Sequence, residues 1–392
     1  MFSHNRVVVA VLLFSSMDAS TQTGKTATVR ARDLGVPFDG SPGQFNAITD
    51  VPGVEVGSAT LIRGEGPLKV GEGPVRTGVT VILPRGVNST DPVYAGWFSL
   101  NGNGEMTGTT WVEESGFLEG PVAITNTHSV GVVRDSMIAW GLEHRALAQP
   151  WALPVVAETW DGYLNDLNGF HVKRDDVYAA LDSAKTGPVA EGNTGGGTGM
   201  VCYGFKGGTG TASRVLSKEQ GGYTVGILLQ CNCGRRPQLV IAGVPVGKEL
   251  TGDEPYAGIP PPSLPGNEMK GDVGSIIIAT DAPLLPHQLK RIARRATLGL
   301  ARTGSISGNG SGDIFIAFST ANPHANAEPG PNTVKTVSNE RISPLFEATV
   351  EATEEAIVNA MVGAKTMTGI DGHTVVALPH DKLRQVLKKY NR

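Results

Sequence analysis

Apolar residues recur along this chain in short β-branched runs between turns rich in glycine and proline, and only a few stretches carry helical spacing. Strands are predicted just after Val51-Pro52-Gly53-Val54 and over residues 79–83, 122–126, 154–157, 223–229, 313–318 and 373–378. Turn residues such as Pro84-Arg85-Gly86 and Gly120-Pro121 bound them. Helical periodicity predicts helices over 135–149, 174–183, 345–362 and 381–390. The clearest helix is 286–301, where Leu289, Ile292, Ala293, Ala296 and Leu300 share one face and Lys290, Arg291, Arg294 and Arg295 lie outside it. Strands and helices alternate without a regular βαβ beat, which predicts stacked α+β layers rather than a doubly wound sheet.

One junction stands apart. Residues 251–269 hold five prolines and three glycines, the composition of an exposed, irregular connection. Lys270-Gly271-Asp272-Val273-Gly274 then runs into Ser275-Ile276-Ile277-Ile278, so a serine opens a core strand immediately after a loop that can reach solvent. Cleavage before Ser275 would place a new α-amine, with a pKa of about 7.7–8.0, beside its hydroxyl as a proton acceptor. The same residues also fit a serine that merely begins a strand. A second unusual stretch, Gly195-Gly196-Gly197-Thr198-Gly199, lacks the Gly-Lys-Ser/Thr ending of a phosphate loop. It reads as backbone shaping beside a site, followed by turn rather than helix over 202–211.

Composition narrows the partners. The 392 residues are 40% apolar and 18% charged with a net charge of −4, an ordinary globular balance without the basic clusters of a nucleic-acid binder. Residues 1–20 differ, with His4 and Arg6 before an apolar run from Val7 to Phe14 and then small residues. That is the shape of a secretory signal, too short to span a bilayer, and it predicts export to the periplasm or medium, with a cytoplasmic location if the leader does not function. Cys202, Cys231 and Cys233 offer neither an even disulfide framework nor zinc spacing and read as packing residues. The eight histidines are scattered, with no metal-ligand pair, and no serine fits G-x-S-x-G. A hydroxyl nucleophile here therefore needs a base other than an elbow's histidine.

From Arg30 onward the chain resembles the DmpA-type L-aminopeptidase/D-Ala-esterase-amidases and β-aminopeptidases, self-processing N-terminal serine hydrolases. The likeness rests on Arg30-Ala31-Arg32-Asp33-Leu34-Gly35, Asn46-Ala47-Ile48-Thr49-Asp50-Val51-Pro52-Gly53-Val54, Asn101-Gly102-Asn103-Gly104-Glu105, the glycine run, Gly274-Ser275, Gly308-Asn309-Gly310-Ser311-Gly312-Asp313 and Asp371-Gly372-His373-Thr374. The resemblance implies an αββα four-layer sandwich, the fold also of ornithine acetyltransferases. It implies one hydrolase domain cut between Gly274 and Ser275 into an α-chain over 21–274 and a β-chain over 275–392. Ser275 would be the nucleophile, Ser311 and Asp313 its support, Asn232 an oxyanion donor and Glu158 the carboxylate that receives a substrate's N-terminal amine. Two residues beyond Glu158 the DmpA type carries a tyrosine. This chain has Trp160, which can donate a hydrogen bond but cannot accept one and can shape the pocket.

The expected activity is release of N-terminal amino acids from short peptides, amides or esters through an acyl-enzyme on Ser275, without cofactor or metal, by a tetramer of αβ units. Nucleic acid and membrane are not expected partners. Two other readings stay open: an acyl transferase like the ornithine acetyltransferases, which use threonine where this chain has Ser275, and an exported, non-catalytic binder of amino compounds.

Overall fold

The computed structural model describes residues 1–2, 29–255, 273–327 and 331–392. The predicted leader, apart from Met1 and Phe2, and most of the proline-rich connection before Ser275 lie outside the described residues. The strands are β1 (Glu55–Arg63), β2 (Val75–Leu83), β3 (Val93–Ser99), β4 (Phe117–Leu118), β5 (Val122–Asn126), β6 (Val155–Thr159), β7 (Val201–Cys202), β8 (Phe205–Lys206), β9 (Gly208–Val215), β10 (Thr224–Asn232), β11 (Val273–Thr280), β12 (Ile314–Ser319), β13 (Met367–Thr368) and β14 (Thr374–Val375). The helices are α1 (Thr109–Ser115), α2 (Val130–Glu143), α3 (Arg174–Asp182), α4 (Val246–Glu249), α5 (Pro286–Arg302), α6 (Ser343–Val362) and α7 (His380–Lys389). Among the described residues no helix is long and apolar enough to cross a membrane.

Two sheets carry the fold, one ordered β1-β2-β5-β6 and the other β4-β3-β12-β11-β10-β9. Side chains alternate faces along each strand. Ile82, Ile124, Val155 and Ala157 of the first sheet meet Leu228, Ile277, Ile316 and Phe318 of the second in the core between them. The opposite face of the first sheet, with Val79, Val81, Ala123 and Val156, packs against α2 and α3 through Val133, Met137, Val177 and Leu181. The opposite face of the second, with Ile227, Leu229, Ile276, Ile278 and Phe315, packs against α5 and α6. The result is the expected αββα sandwich. Because β11 is covered on both faces, its Ile-Ile-Ile run is continuous rather than alternating, and each buried isoleucine contributes about 1.5–3 kcal/mol.

Several elements depart from the sequence expectation. Helix α2 spans Val130–Glu143 rather than 135–149: Asn126 accepts from the His128 N–H and starts the turn that feeds the helix early, and Arg145 in the left-handed region closes it. Strand β3 and helix α1 carry no clear sequence period and were not expected. Residues 208–211, in the stretch expected as turn, open the edge strand β9 despite their glycines. A β-carbon at Gly210 would stand 2.0 Å from the Ala356 carbonyl oxygen, so glycine here lets α6 lie directly on the strand. The strand expected over 373–378 shortens to Thr374–Val375. The cysteines also differ from their reading as packing residues: Cys202 and Cys231 form a disulfide. The Cys233 sulfur lies 3.7 Å from that of Cys202 and 3.8 Å from that of Cys231, because β7 turns back onto the end of β10.

Candidate active site

The alternation along β11 decides where Ser275 points. Ile276 and Ile278 face the helices while Ile277 and Ala279 face the other sheet, so Ser275 belongs to the inter-sheet side. In register it stands opposite Gln230 of β10 and beside Ile314 of β12. Ser275 is 2% exposed, and its Oγ donates to the Glu158 backbone carbonyl of β6 at 2.9 Å, bridging the two sheets. Gly274, within the same strand, pairs with Cys231.

Asn232 lies on the same face as Gln230, diagonally across from Ser275 at the ~7–8 Å typical of such neighbours. That gap is wide enough for a reacting carbonyl. The Asn232 Oδ1 accepts from the Val201 N–H at 3.0 Å, which fixes the amide orientation, and its Nδ2 is buried with no hydrogen-bond partner among the described residues. An orphaned buried donor is costly to keep, so such a group commonly marks a place where something else binds. Gln230 reaches across to the Thr159 hydroxyl at 2.5 Å. The glycine run forms a buried turn, Gly195–Gly199, and a β-carbon at Gly196 would sit 1.9 Å from the Gln230 Oε1. The run shapes backbone against the site, as its sequence suggested.

Ser311 and Asp313 precede β12, whose parallel register places them at the Gly274–Ser275 end of β11. Both are fully buried, and Ser311 Oγ donates to Asp313 Oδ2 at 2.7 Å. Asn101 clamps the aspartate from two sides: its Nδ2 donates to Asp313 Oδ2 at 3.1 Å and its Oδ1 accepts from the Asp313 N–H at 2.6 Å.

Glu158 is buried, its carboxylate accepting from the Thr127 hydroxyl while its backbone carbonyl accepts from Ser275 Oγ. Trp160 lies half-buried against Tyr163, Leu164, Val201, Met367 and Val375, and a β-carbon at Gly162 would run into its indole at 2.8 Å. Behind them sit two fully buried ionisable groups that sequence reasoning passed over. Burial pushes the Asp161 carboxyl up to about 7 against hydrogen bonds from Thr77 and Asn165, with the Glu158 charge adding to the rise. Burial likewise pushes the Lys206 ammonium down to about 7, opposed by the Asp161 charge. A lone lysine in Phe205-Lys206-Gly207-Gly208, amid apolar and glycine residues, was the available signal for the second, and Asn101 sat inside a motif whose individual roles the sequence left unassigned.

Facing sheets flanked by helices, with an inward-facing serine near the start of a central strand, are the fold of a hydrolase of the N-terminal-nucleophile type. The model for peptidase family S58 matches residues 46–375, and the chain belongs to that family. It is 57% identical over 368 residues to the Beta-peptidyl aminopeptidase BapA of Sphingosinicella microcystinivorans, covering 93% of each chain. Among solved structures it resembles the L-aminopeptidase D-Ala-esterase/amidase of Ochrobactrum anthropi, with a TM-score of 0.85 and 48% identity over 93% of this chain and 99% of that one. A Burkholderia sp. beta-aminopeptidase aligns with a TM-score of 0.83 and 48% identity over 92% and 99%. The chain is therefore a peptidase, and the acyl-transferase and binding-protein readings are not favoured.

Proposed function

We propose that the chain is made as a precursor that cuts itself between Gly274 and Ser275 and then works as an aminopeptidase on short peptides, amides or esters. Given the names of its relatives, the N-terminal residue released is a β-amino acid as well as an α-amino acid. The observation that carries this is the inward-facing Ser275 hydroxyl set diagonally from Asn232, whose Nδ2 has no hydrogen-bond partner among the described residues.

In self-cleavage the Ser275 Oγ attacks the Gly274 carbonyl carbon, its proton passes to the Ser275 nitrogen as the Gly274–Ser275 C–N bond breaks, and water hydrolyses the resulting ester. The freed α-amine then takes the Oγ proton as Ser275 attacks a substrate carbonyl, Asn232 Nδ2 donates to the developing oxyanion, and the ammonium returns a proton to the leaving amine. Water releases the acyl group by the same route. Asp313, hydrogen-bonded to Ser311, offsets the positive charge that forms on the Ser275 amine, and Glu158 receives the substrate's ammonium. Trp160 forms a wall of the substrate pocket. No cofactor takes part in this scheme. The working form is a tetramer of αβ units. The Cys202–Cys231 disulfide supports export through the predicted leader into an oxidising compartment.

Intact-mass analysis and N-terminal sequencing of wild type beside Ser275→Ala test the scheme. A wild-type fragment beginning Ser-Ile-Ile-Ile that is absent from the variant is expected. A wild-type chain that stays whole under native conditions would overturn the mechanism.

A further inference from the structure

Lys206 has a place in the site that the scheme above leaves unused. Its ammonium is fully buried and donates to the Met200 carbonyl and the Gly207 carbonyl, each at 2.9 Å. The Met200 carbonyl belongs to the same peptide group as the Val201 N–H, and that N–H donates to Asn232 Oδ1 at 3.0 Å. The Gly207 N–H supplies the second bond to the Met200 oxygen at 2.9 Å, so both lone pairs of that carbonyl are held. One line of hydrogen bonds therefore runs from Lys206 Nζ through the 200–201 peptide to the Asn232 amide, whose Nδ2 ends it without a partner among the described residues.

We propose that Lys206 is a positioning residue for the oxyanion, holding and polarising the Asn232 amide through the Met200–Val201 peptide group. A cation on a carbonyl oxygen draws electron density along the peptide, making its N–H a stronger donor. That bond in turn draws density from the Asn232 carbonyl and sharpens the donor strength of Nδ2. The same contacts fix the peptide plane, and hence the direction of the amide. Asp161, buried in the same region, favours the charged form of Lys206. The inference rests on the reading of Asn232 as the oxyanion donor.

The test is steady-state kinetics on processed Lys206→Met and Lys206→Gln, with β-alanyl p-nitroanilide as the probe and the melting temperature and self-cleavage rate recorded alongside. Removing an oxyanion donor costs roughly 10²–10³ in kcat, and polarisation strengthens each bond in a chain by roughly 10–30%. Lys206→Met is therefore expected to lower kcat roughly two- to eightfold with KM within about twofold, because acylation and deacylation both pass through an oxyanion. Lys206→Gln, which keeps a neutral donor for the Met200 carbonyl, should fall between it and wild type. In an Asn232→Ala background the Lys206→Met change should add less than about twofold, since the relay then has no end group.

Wild-type kcat in Lys206→Met, a loss confined to KM, or a full additional loss in the Asn232→Ala background would each overturn the relay while leaving Asn232 in its role. Failure of both Lys206 variants to fold would overturn it too, since Lys206 would then be a fold determinant. Wild-type kcat in Asn232→Ala would instead overturn the oxyanion reading beneath it.

Discussion

Self-cleavage at Gly274–Ser275 would divide the molecule between two chains, and Glu355 of α6 would become the pivot that joins them. Its carboxylate, fully buried, accepts from Arg32 Nε and Nη2 at 2.8 Å each, from Asn46 Nδ2 at 2.6 Å and from Arg214 Nη2 at 2.8 Å. All three partners lie before Gly274. Replacing it in Glu355→Gln leaves two guanidinium groups sharing a neutral amide. Loss of one partner from a buried ion pair costs about 3–5 kcal/mol, and the lower end applies because Arg214 keeps Glu351 at 3.4 Å and the Asp39 carbonyl at 2.8 Å. At about 2.1 cal/mol/K of unfolding entropy per residue, ~3 kcal/mol lowers Tm by about 4 °C. Burial alone would raise the Glu355 pKa, but the Arg32 hydrogen bonds and the Arg214 charge outweigh it and hold the carboxyl below its ordinary 4.5. A depressed carboxylate contributes its full stability above the unfolded-state value and loses it as the pH falls through the folded-state value. Calorimetry of the processed enzyme should therefore find the full wild-type-to-variant gap at pH 7 and a closing gap on acidification below about 4.5. Equal melting at pH 7, or a gap that acid does not narrow, would refute the assignment.

Two further outcomes follow from the site and its edge. Asn101→Ala removes both bonds to Asp313, and a loss of about 1.5–3 kcal/mol in holding that charge is expected to lower kcat tenfold or more with KM little changed. Wild-type turnover in that variant would show that Asp313 needs no clamp. Cys202→Ala opens a disulfide spanning a sequence separation of 29, worth ~3–4 kcal/mol by loop entropy, and should lower Tm by about 4–5 °C. Thiol titration of denatured wild type should find two thiols fewer than after full reduction. A count of three without reductant would remove the disulfide.

The parts legible in the sequence were those written as local pattern. The Ile276-Ile277-Ile278 run announced a strand buried on both faces, and the face of α5 followed from its 3.6-residue period. The site was legible only as far as motifs carried it. What stayed hidden belongs to long-range packing. The first half of strand β9 looked like turn because Gly210 answers to α6, more than a hundred residues away, rather than to its neighbours. Cys202 and Cys231 looked unpaired because only the return of β7 onto β10 brings them together. Glu158 was read for its carboxylate, whereas its backbone carbonyl is what reaches Ser275, a contact that depends on how β6 faces β11 across the core. Lys206 was the most deeply concealed, since a buried ammonium acting through a peptide bond leaves no spacing to recognise. Its meaning lies in two hydrogen bonds that meet at one peptide group, and only the packed fold brings them there.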